Sequence, residues 1–135
     1  MLLYAAAKFL AYGAWCYIGL RMAGSPYADA PTSLRLGATR WVIGLVFGVV
    51  VFFAVGSIDA SAAARTYFAV YTPVRIIEWL IMVFLIAQRI PLESTAAARA
   101  RLPFWCAGAM LVSFLTDLLS PEGLQGRFCV GRCLC

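Results

Sequence analysis

Apolar residues in this chain occur in four long runs, and short polar stretches separate one run from the next. The runs cover about residues 2–22, 38–57, 65–88 and 102–119, and a cysteine-containing tail of residues 120–135 follows the last of them. A helix that crosses a bilayer needs about 20 mostly apolar residues, so each run is long enough to cross once. The pattern predicts an all-α fold, in which residues 1–135 form one polytopic transmembrane domain with about four helices in a compact bundle.

Turn-forming residues and charges predict the connections between the runs. The segment from Gly24 to Ser33 contains two prolines and is predicted to be a loop. Residues 93–101 are predicted to form a polar connection, with Pro103 in the first turn of the fourth helix. The first run contains Lys8 and has no basic segment before it. We therefore expect a retained helix rather than a cleaved signal peptide.

Composition excludes several classes of protein. The chain is 64% hydrophobic and 13% charged, with a mean hydropathy of +0.89. Soluble domains carry roughly a quarter charged residues, and disordered chains combine low hydrophobicity with high net charge. The net charge of +5 comes mostly from basic residues between the apolar runs. Such residues set membrane topology, so we expect no nucleic-acid partner.

The distribution of basic residues predicts an orientation, because cytoplasmic loops carry an excess of Lys and Arg. Six basic residues lie in or beside the first and third connections: Arg21, Arg35, Arg40, Arg89, Arg99 and Arg101. Three lie on the opposite side: Arg65, Arg127 and Arg132. We therefore expect an integral protein of a bacterial inner membrane, with both termini on the non-cytoplasmic side.

Three ionisable residues fall within the predicted spans: Lys8, Arg75 and Glu78. A charge at the centre of a span costs about 2.5–3.5 kcal/mol on insertion scales, and such residues usually face a partner or a wet cavity. Arg75 and Glu78 are three residues apart and share one side of the helix. Pro73 lies within the same two turns and removes a backbone hydrogen bond. This segment of the third run is the strongest candidate for a functional site.

Counting turns along the spans brings further polar groups to the same level as this segment. The predicted ligand-binding site, in the outer half of the bundle, contains Tyr4, Lys8, Tyr12, Tyr71, Arg75, Glu78 and Asp117. Two cations against one carboxylate within the spans leave the site net positive, which suits an anionic group such as a phosphate headgroup. A structural interpretation remains open, in which Arg75 and Glu78 neutralise each other and Lys8 extends to the interface.

Small residues and cysteines complete the candidate features. Gly37, Gly44 and Gly48 lie on one face of the second run, and such glycines let helices approach closely. We favour a partner helix within the bundle over a second copy of the chain. The tail is a weak metal candidate, through Cys129, Cys133 and Cys135. These thiols could equally form a disulfide or be acylated.

The chain contains no histidine, which excludes histidine-ligated metals and Ser-His or Cys-His catalysis, and we expect no cofactor. The leading hypothesis is a small membrane protein that binds or transports an anionic or lipid-like ligand, with membrane lipid as a partner and a homo-oligomer as its assembly. The first alternative is a membrane-embedded enzyme that acts on a lipid or lipid-linked substrate. In that enzyme Glu78 is the catalytic base, and Arg75 and Lys8 form an anion clamp. The second alternative is an accessory subunit held against a partner membrane protein.

Overall fold

The fold is all-helical, as the apolar runs predict. A computed structural model describes residues 2–55, 64–89 and 96–120. In this part of the chain the structure consists of four helices: α1 (Leu2–Met22), α2 (Ala30–Val55), α3 (Ala64–Arg89) and α4 (Ala96–Leu118). Two segments are long and apolar enough to cross a membrane, judged by length and composition: Ala30–Ala54 in α2 and Arg65–Gln88 in α3.

The helices form a closed ring in which each one packs against two neighbours. The contacting pairs are α1 with α2, α2 with α3, α3 with α4, and α4 with α1. The contacts run in opposite directions along neighbouring helices: Lys8 pairs with Asp117 and Trp15 with Trp105, so the residue number falls in α4 as it rises in α1. The helices therefore alternate up and down around a shared interior. The amino end of α1 and the carboxyl end of α4 lie at the same end of the bundle.

The connection between α1 and α2 is much shorter than the predicted loop. Gly24 adopts a φ of 64°, a conformation that glycine accepts without strain, and it ends α1. Asp29 then caps α2, because its Oδ1 accepts a hydrogen bond of 2.7 Å from the backbone N–H of Thr32. Pro31 falls in the first turn, where a helix needs no backbone donor. The prediction of a loop through Ser33 was therefore wrong for residues 30–33.

Helix α4 also begins earlier than the sequence pattern indicated. It begins at Ala96, so that Pro103 lies in the helix interior rather than in the first turn. The alanine-rich start favours helix strongly, which explains why the predicted polar connection is helical over residues 96–101. Residues 90–95 lie outside the described part of the chain. Pro73 likewise lies inside α3.

Tryptophan side chains join α1 to α4 at the end of the bundle away from Lys8. The indole N–H of Trp15 donates to the carbonyl of Trp105 at 3.1 Å, and that of Trp105 donates to the carbonyl of Trp15 at 3.0 Å. Trp79 of α3 packs edge-on against Trp105, with ring centroids 5.4 Å apart. We call Trp15, Trp79 and Trp105 the tryptophan cluster. It belongs to the larger of the two apolar cores that the described residues form, and the smaller core contains Val51, Tyr67 and Tyr71.

Candidate functional site

Five ionisable side chains in the bundle form a continuous series of salt bridges that alternates in sign. Lys8 Nζ contacts Asp117 Oδ1, and Arg75 Nη2 donates to Asp117 Oδ2 at 2.7 Å. Arg75 Nη1 donates to Glu78 Oε2 at 2.8 Å, and Arg40 Nη2 donates to the same oxygen at 2.5 Å. We call these residues the ion-pair chain. Each of the four helices contributes to it.

The ion-pair chain runs from one end of the bundle into its centre. The Lys8 side chain is 12% exposed, whereas that of Arg40 is 0% exposed. The ion-pair chain therefore begins near the surface at Lys8 and ends at the fully buried guanidinium of Arg40.

Asp117 is the most heavily hydrogen-bonded acceptor in the ion-pair chain. Besides Lys8 and Arg75, it accepts a hydrogen bond of 2.6 Å from the hydroxyl of Tyr67 and a longer one, 3.4 Å, from Tyr4. The Tyr4 hydroxyl also accepts from Lys8 Nζ at 3.1 Å. A buried carboxylate needs several donors to offset its desolvation, and Asp117 has them.

Arg40 is less completely satisfied. Its guanidinium carbon lies 4.8 Å from the ring centroid of Tyr12 and 5.0 Å from that of Trp79, so the cation is held between two aromatic rings. Its Nη2 pairs with Glu78. Its Nε and Nη1 have no hydrogen-bond partner within residues 2–55, 64–89 and 96–120, and neither does the Tyr12 hydroxyl. Each unpaired buried donor costs about 1–3 kcal/mol. The inner end of the ion-pair chain thus has unused hydrogen-bonding capacity.

The ion-pair chain contains three cations and two carboxylates, and so carries a net charge of +1. The sequence alone predicted a net positive charge for the site without Arg40, because Arg40 was predicted to lie beside a connecting loop. The signal that could have found Arg40 was its spacing, because it lies three residues after Gly37 and four before Gly44. That spacing places the arginine on the same helix face as the glycines.

The glycines of α2 allow close contacts within the bundle. A Cβ at Gly37 would lie 2.8 Å from the backbone of Gly13, so α1 and α2 touch there backbone to backbone. A Cβ at Gly44 would lie 3.1 Å from Arg40 Nη1, so the bare α-carbon makes room for the guanidinium. Gly48 is buried. Gly37 and Gly44 therefore face other parts of the same chain.

The remaining predicted ligand-binding residues surround the ion-pair chain. Tyr12 stacks on Arg40, and Tyr71 lies under Arg75, whose guanidinium carbon is 5.6 Å from its ring centroid. Glu78, the predicted base of the enzyme hypothesis, accepts from both arginines through one oxygen, Oε2.

The cysteines provide no candidate metal centre in the described residues. Cys129, Cys133 and Cys135 lie outside that part of the chain. Cys16 is buried and Cys106 is half-buried, and both are free thiols. Residues 2–55, 64–89 and 96–120 contain no group of three or more Cys, Asp or Glu side chains placed to hold a metal ion.

Comparisons with other proteins give this chain no relative: no protein-family model, no curated protein and no solved structure matches it.

Proposed function

We propose that the protein is a four-span integral membrane protein that binds or transports an anionic or lipid-like ligand at the ion-pair chain. The membrane placement is supported by an inverted distribution of side chains, with charges inside and large apolar groups outside. Fully buried groups include Arg40 and Glu78. Exposed large apolar side chains occur on every helix, among them Leu3, Leu10, Val46, Phe53, Leu80, Phe84, Leu111 and Leu115. Soluble monomers rarely expose such large apolar surfaces.

By length and composition only segments of α2 and α3 are candidate spans among the described residues, and the same distribution explains how α1 and α4 also suit a bilayer. Lys8 and Asp117 point inward, where they pair with each other. Leu10 and Leu111, by contrast, are more than half exposed. A helix that pairs its charges internally presents little charge to lipid, and this is how intramembrane charges are normally accommodated. We therefore propose that α1 and α4 also span the membrane.

The proposed orientation keeps both termini on the non-cytoplasmic side. Arg40 no longer counts toward the cytoplasmic connections, because it is buried in the bundle. The remaining contrast is five basic residues against three, which still favours a cytoplasmic position for the connection that contains Asp29. In this orientation Lys8 is the member of the ion-pair chain nearest the outer surface.

One observation carries the proposal of an anionic ligand: the ion-pair chain has surplus positive charge, and its inner end has unused donors. Nε and Nη1 of Arg40 lack partners among the described residues, and so does the Tyr12 hydroxyl beside them. Guanidinium donors prefer carboxylate or phosphate oxygens, with which they make strong charge-assisted hydrogen bonds. An anion at this point would neutralise the net charge of +1 and satisfy these donors.

Entry of the anion requires the outer ion pairs to separate. The unpaired atoms of Arg40 are buried, whereas Lys8 retains some exposure. An anion that arrives from the Lys8 end would replace a carboxylate as the partner of Lys8 and then of Arg75. Because each cation already has a carboxylate partner, such a step exchanges one ion pair for another and leaves no charge bare. In this way the alternating order of cations and carboxylates in the ion-pair chain allows an anion to move along it.

The proposal can be tested by anion titration of the purified protein in lipid nanodiscs. We expect chloride, inorganic phosphate or glycerol phosphate to raise the thermal midpoint saturably, because a ligand at 100 times its Kd stabilises by about 2.7 kcal/mol. Arg40→Gln should abolish this rise. Arg35→Gln is the matched control, because Arg35 is an exposed arginine of the same helix.

Two further measurements keep the proposal falsifiable if Arg40→Gln fails to fold. Arg40→Lys keeps the charge but loses the planar array of donors, and should weaken anion binding in a folded protein. Proteoliposomes that contain the wild-type chain should take up the stabilising anion faster than protein-free liposomes. If no anion stabilises the wild-type protein, the proposed binding function is wrong. Turnover of a lipid-linked substrate by the wild-type protein would favour the enzyme alternative instead.

A further inference from the structure

A cleft lies at the end of the bundle opposite Lys8, between α1, α3 and α4. It is a shallow groove with a cavity volume of about 30 Å³, and it is partly open to the outside. Its lining is almost entirely apolar, and includes Leu20, Met22, Val83, Ile86 and Trp105. Enclosed ligand clefts usually have volumes of about 300–1,000 Å³, so this groove does not enclose a ligand but offers an apolar surface along which a hydrocarbon chain can lie.

Among the described residues, the lining of the cleft contains one cationic side chain, Arg101, and no acidic residue. Arg101 is exposed, and its hydrogen bond to the carbonyl of Met22 is long, at 3.4 Å. A guanidinium so weakly held can turn toward a negatively charged group at the rim. The cleft therefore combines an apolar interior with a positive edge.

We infer that this cleft binds an anionic phospholipid, with one acyl chain along the apolar lining and the phosphate at Arg101. Apolar lining alone would accept any hydrocarbon, and Arg101 alone would accept any phosphate. Their combination selects a molecule that carries both, and basic pockets between membrane helices bind lipid headgroups in this way. The inference rests on the proposed membrane placement of α1 and α4. It does not depend on the anion site at Arg40.

The wall of the cleft is already in place before any ligand binds. The indole N–H of Trp105 is held by the carbonyl of Trp15, and its ring packs on Trp79. Gly19 permits this position, because a Cβ there would lie 2.3 Å from Trp105 Nε1. Binding to a preformed wall costs little ordering of side chains, which favours affinity.

Native mass spectrometry of the full chain in detergent tests the inference directly. The protein is offered equal amounts of phosphatidylglycerol and phosphatidylcholine, which share acyl chains and differ in net charge. We expect wild type to retain one phosphatidylglycerol preferentially. Arg101→Gln should lower that preference about tenfold, as the loss of one charge-assisted contact of about 1.4 kcal/mol implies. Arg35→Gln removes an exposed arginine outside the cleft lining, and should keep the preference.

A second variant tests the acyl-chain part of the inference. Val83→Trp places a bulky ring in the cleft and should reduce retention of both lipids, because the apolar space is filled. Equal retention of the two lipids by wild type would overturn the inference, and so would an Arg101→Gln variant that behaves like wild type. Displacement of the lipid by inorganic phosphate alone would also overturn it. Anion titration of the same wild-type protein reports on Arg40, which does not line the cleft, so a failure here is distinguishable from a failure of the anion-binding function.

Discussion

The two ends of the bundle are held together by opposite means. At one end the ion-pair chain joins the helices through charged groups, with donor–acceptor distances of 2.5–2.8 Å at Arg40 and Arg75. At the other end the tryptophan cluster joins them through ring packing and two indole N–H bonds to backbone carbonyls. Trp79 belongs to both regions, because Arg40 lies over its ring.

Because of this difference, the two ends of the bundle are expected to lose stability in different ways. Loss of one member of a buried ion pair leaves the opposite charge without compensation, and the penalty comes from desolvation. A packed aromatic cluster fails instead when its volume changes, because interiors are filled to crystal-like density. The stability of the charged end depends on which charged groups are present. The stability of the aromatic end depends on how well its rings fit together. The predictions below test this contrast.

The largest effect is expected for Glu78→Gln. This change leaves two buried guanidiniums, those of Arg40 and Arg75, without their shared carboxylate. Breaking a buried pair in this way costs about 3–5 kcal/mol. Chemical denaturation in mixed micelles should show that loss.

A double variant provides the control for that measurement. In Arg40→Met/Glu78→Gln the inner cation is removed together with its carboxylate. The remaining cations, Lys8 and Arg75, still contact Asp117. We expect the double variant to be more stable than Glu78→Gln alone. If the single variant were as stable as wild type, the ion-pair chain would not be a structural element.

At the aromatic end the corresponding change is Gly108→Ala. A Cβ there would lie 2.4 Å from the Trp15 ring, and a rigid indole within a packed cluster has little room to move. Overpacking of this kind costs about 1–3 kcal/mol. Gly13→Ala is the matched control, because its Cβ would lie 3.3 Å from the flexible end of Leu34. Equal stability of the two variants would contradict the view that fit controls this end.

A smaller effect is expected where the tryptophan cluster makes a polar contact. Ser113 Oγ accepts a hydrogen bond of 3.1 Å from the indole N–H of Trp79. Ser113→Ala leaves that buried donor unpaired and should cost about 1 kcal/mol, near the lower end of the penalty for a neutral group. The thermal midpoint measures it. If Ser113→Ala lost more stability than Glu78→Gln, the aromatic end rather than the charged end would be the more sensitive to substitution.

The sequence predicted the helical fold well because the apolar runs are long and clearly separated. It also brought Lys8, Arg75, Glu78 and Asp117 to one level, since an ionisable residue inside an apolar run is conspicuous. The sequence did not place Arg40 in the site, because the start of the second helix was predicted too late. Helix α2 begins at Ala30 instead of residue 38, so Arg40 lies about three turns into the helix rather than in its first turn.

The tryptophan cluster could not be predicted for a different reason. The reciprocal bonds between Trp15 and Trp105 depend on how α1 and α4 align along their lengths. Helix periodicity gives the face on which a residue lies, but it does not give the alignment between two helices. The glycines opposite the indoles, Gly19 and Gly108, become informative once that alignment is known.

The smallest expected effect concerns Asp29, an exposed charge that serves as a reference for the buried ones. Its hydrogen bond from the backbone N–H of Thr32 holds the pKa of this carboxyl below its ordinary value of 3.8. The lowered folded-state pKa means that the ionised cap stabilises the fold above the unfolded-state pKa. This contribution is lost as the pH falls through the folded-state pKa.

The measurement for Asp29 is the thermal midpoint from pH 6 down to the acid limit of folding, compared with Asp29→Asn. Asparagine keeps a capping oxygen without titrating, so the two curves should run parallel above about pH 5, where Asp29 stays ionised in both states. They should converge below that, because only wild type loses the ionised cap. Curves that stay parallel to the acid limit would show that the charge of Asp29 adds nothing to its hydrogen bond. An exposed charge would then matter to this fold only as a capping group, in contrast to the buried charges of the ion-pair chain.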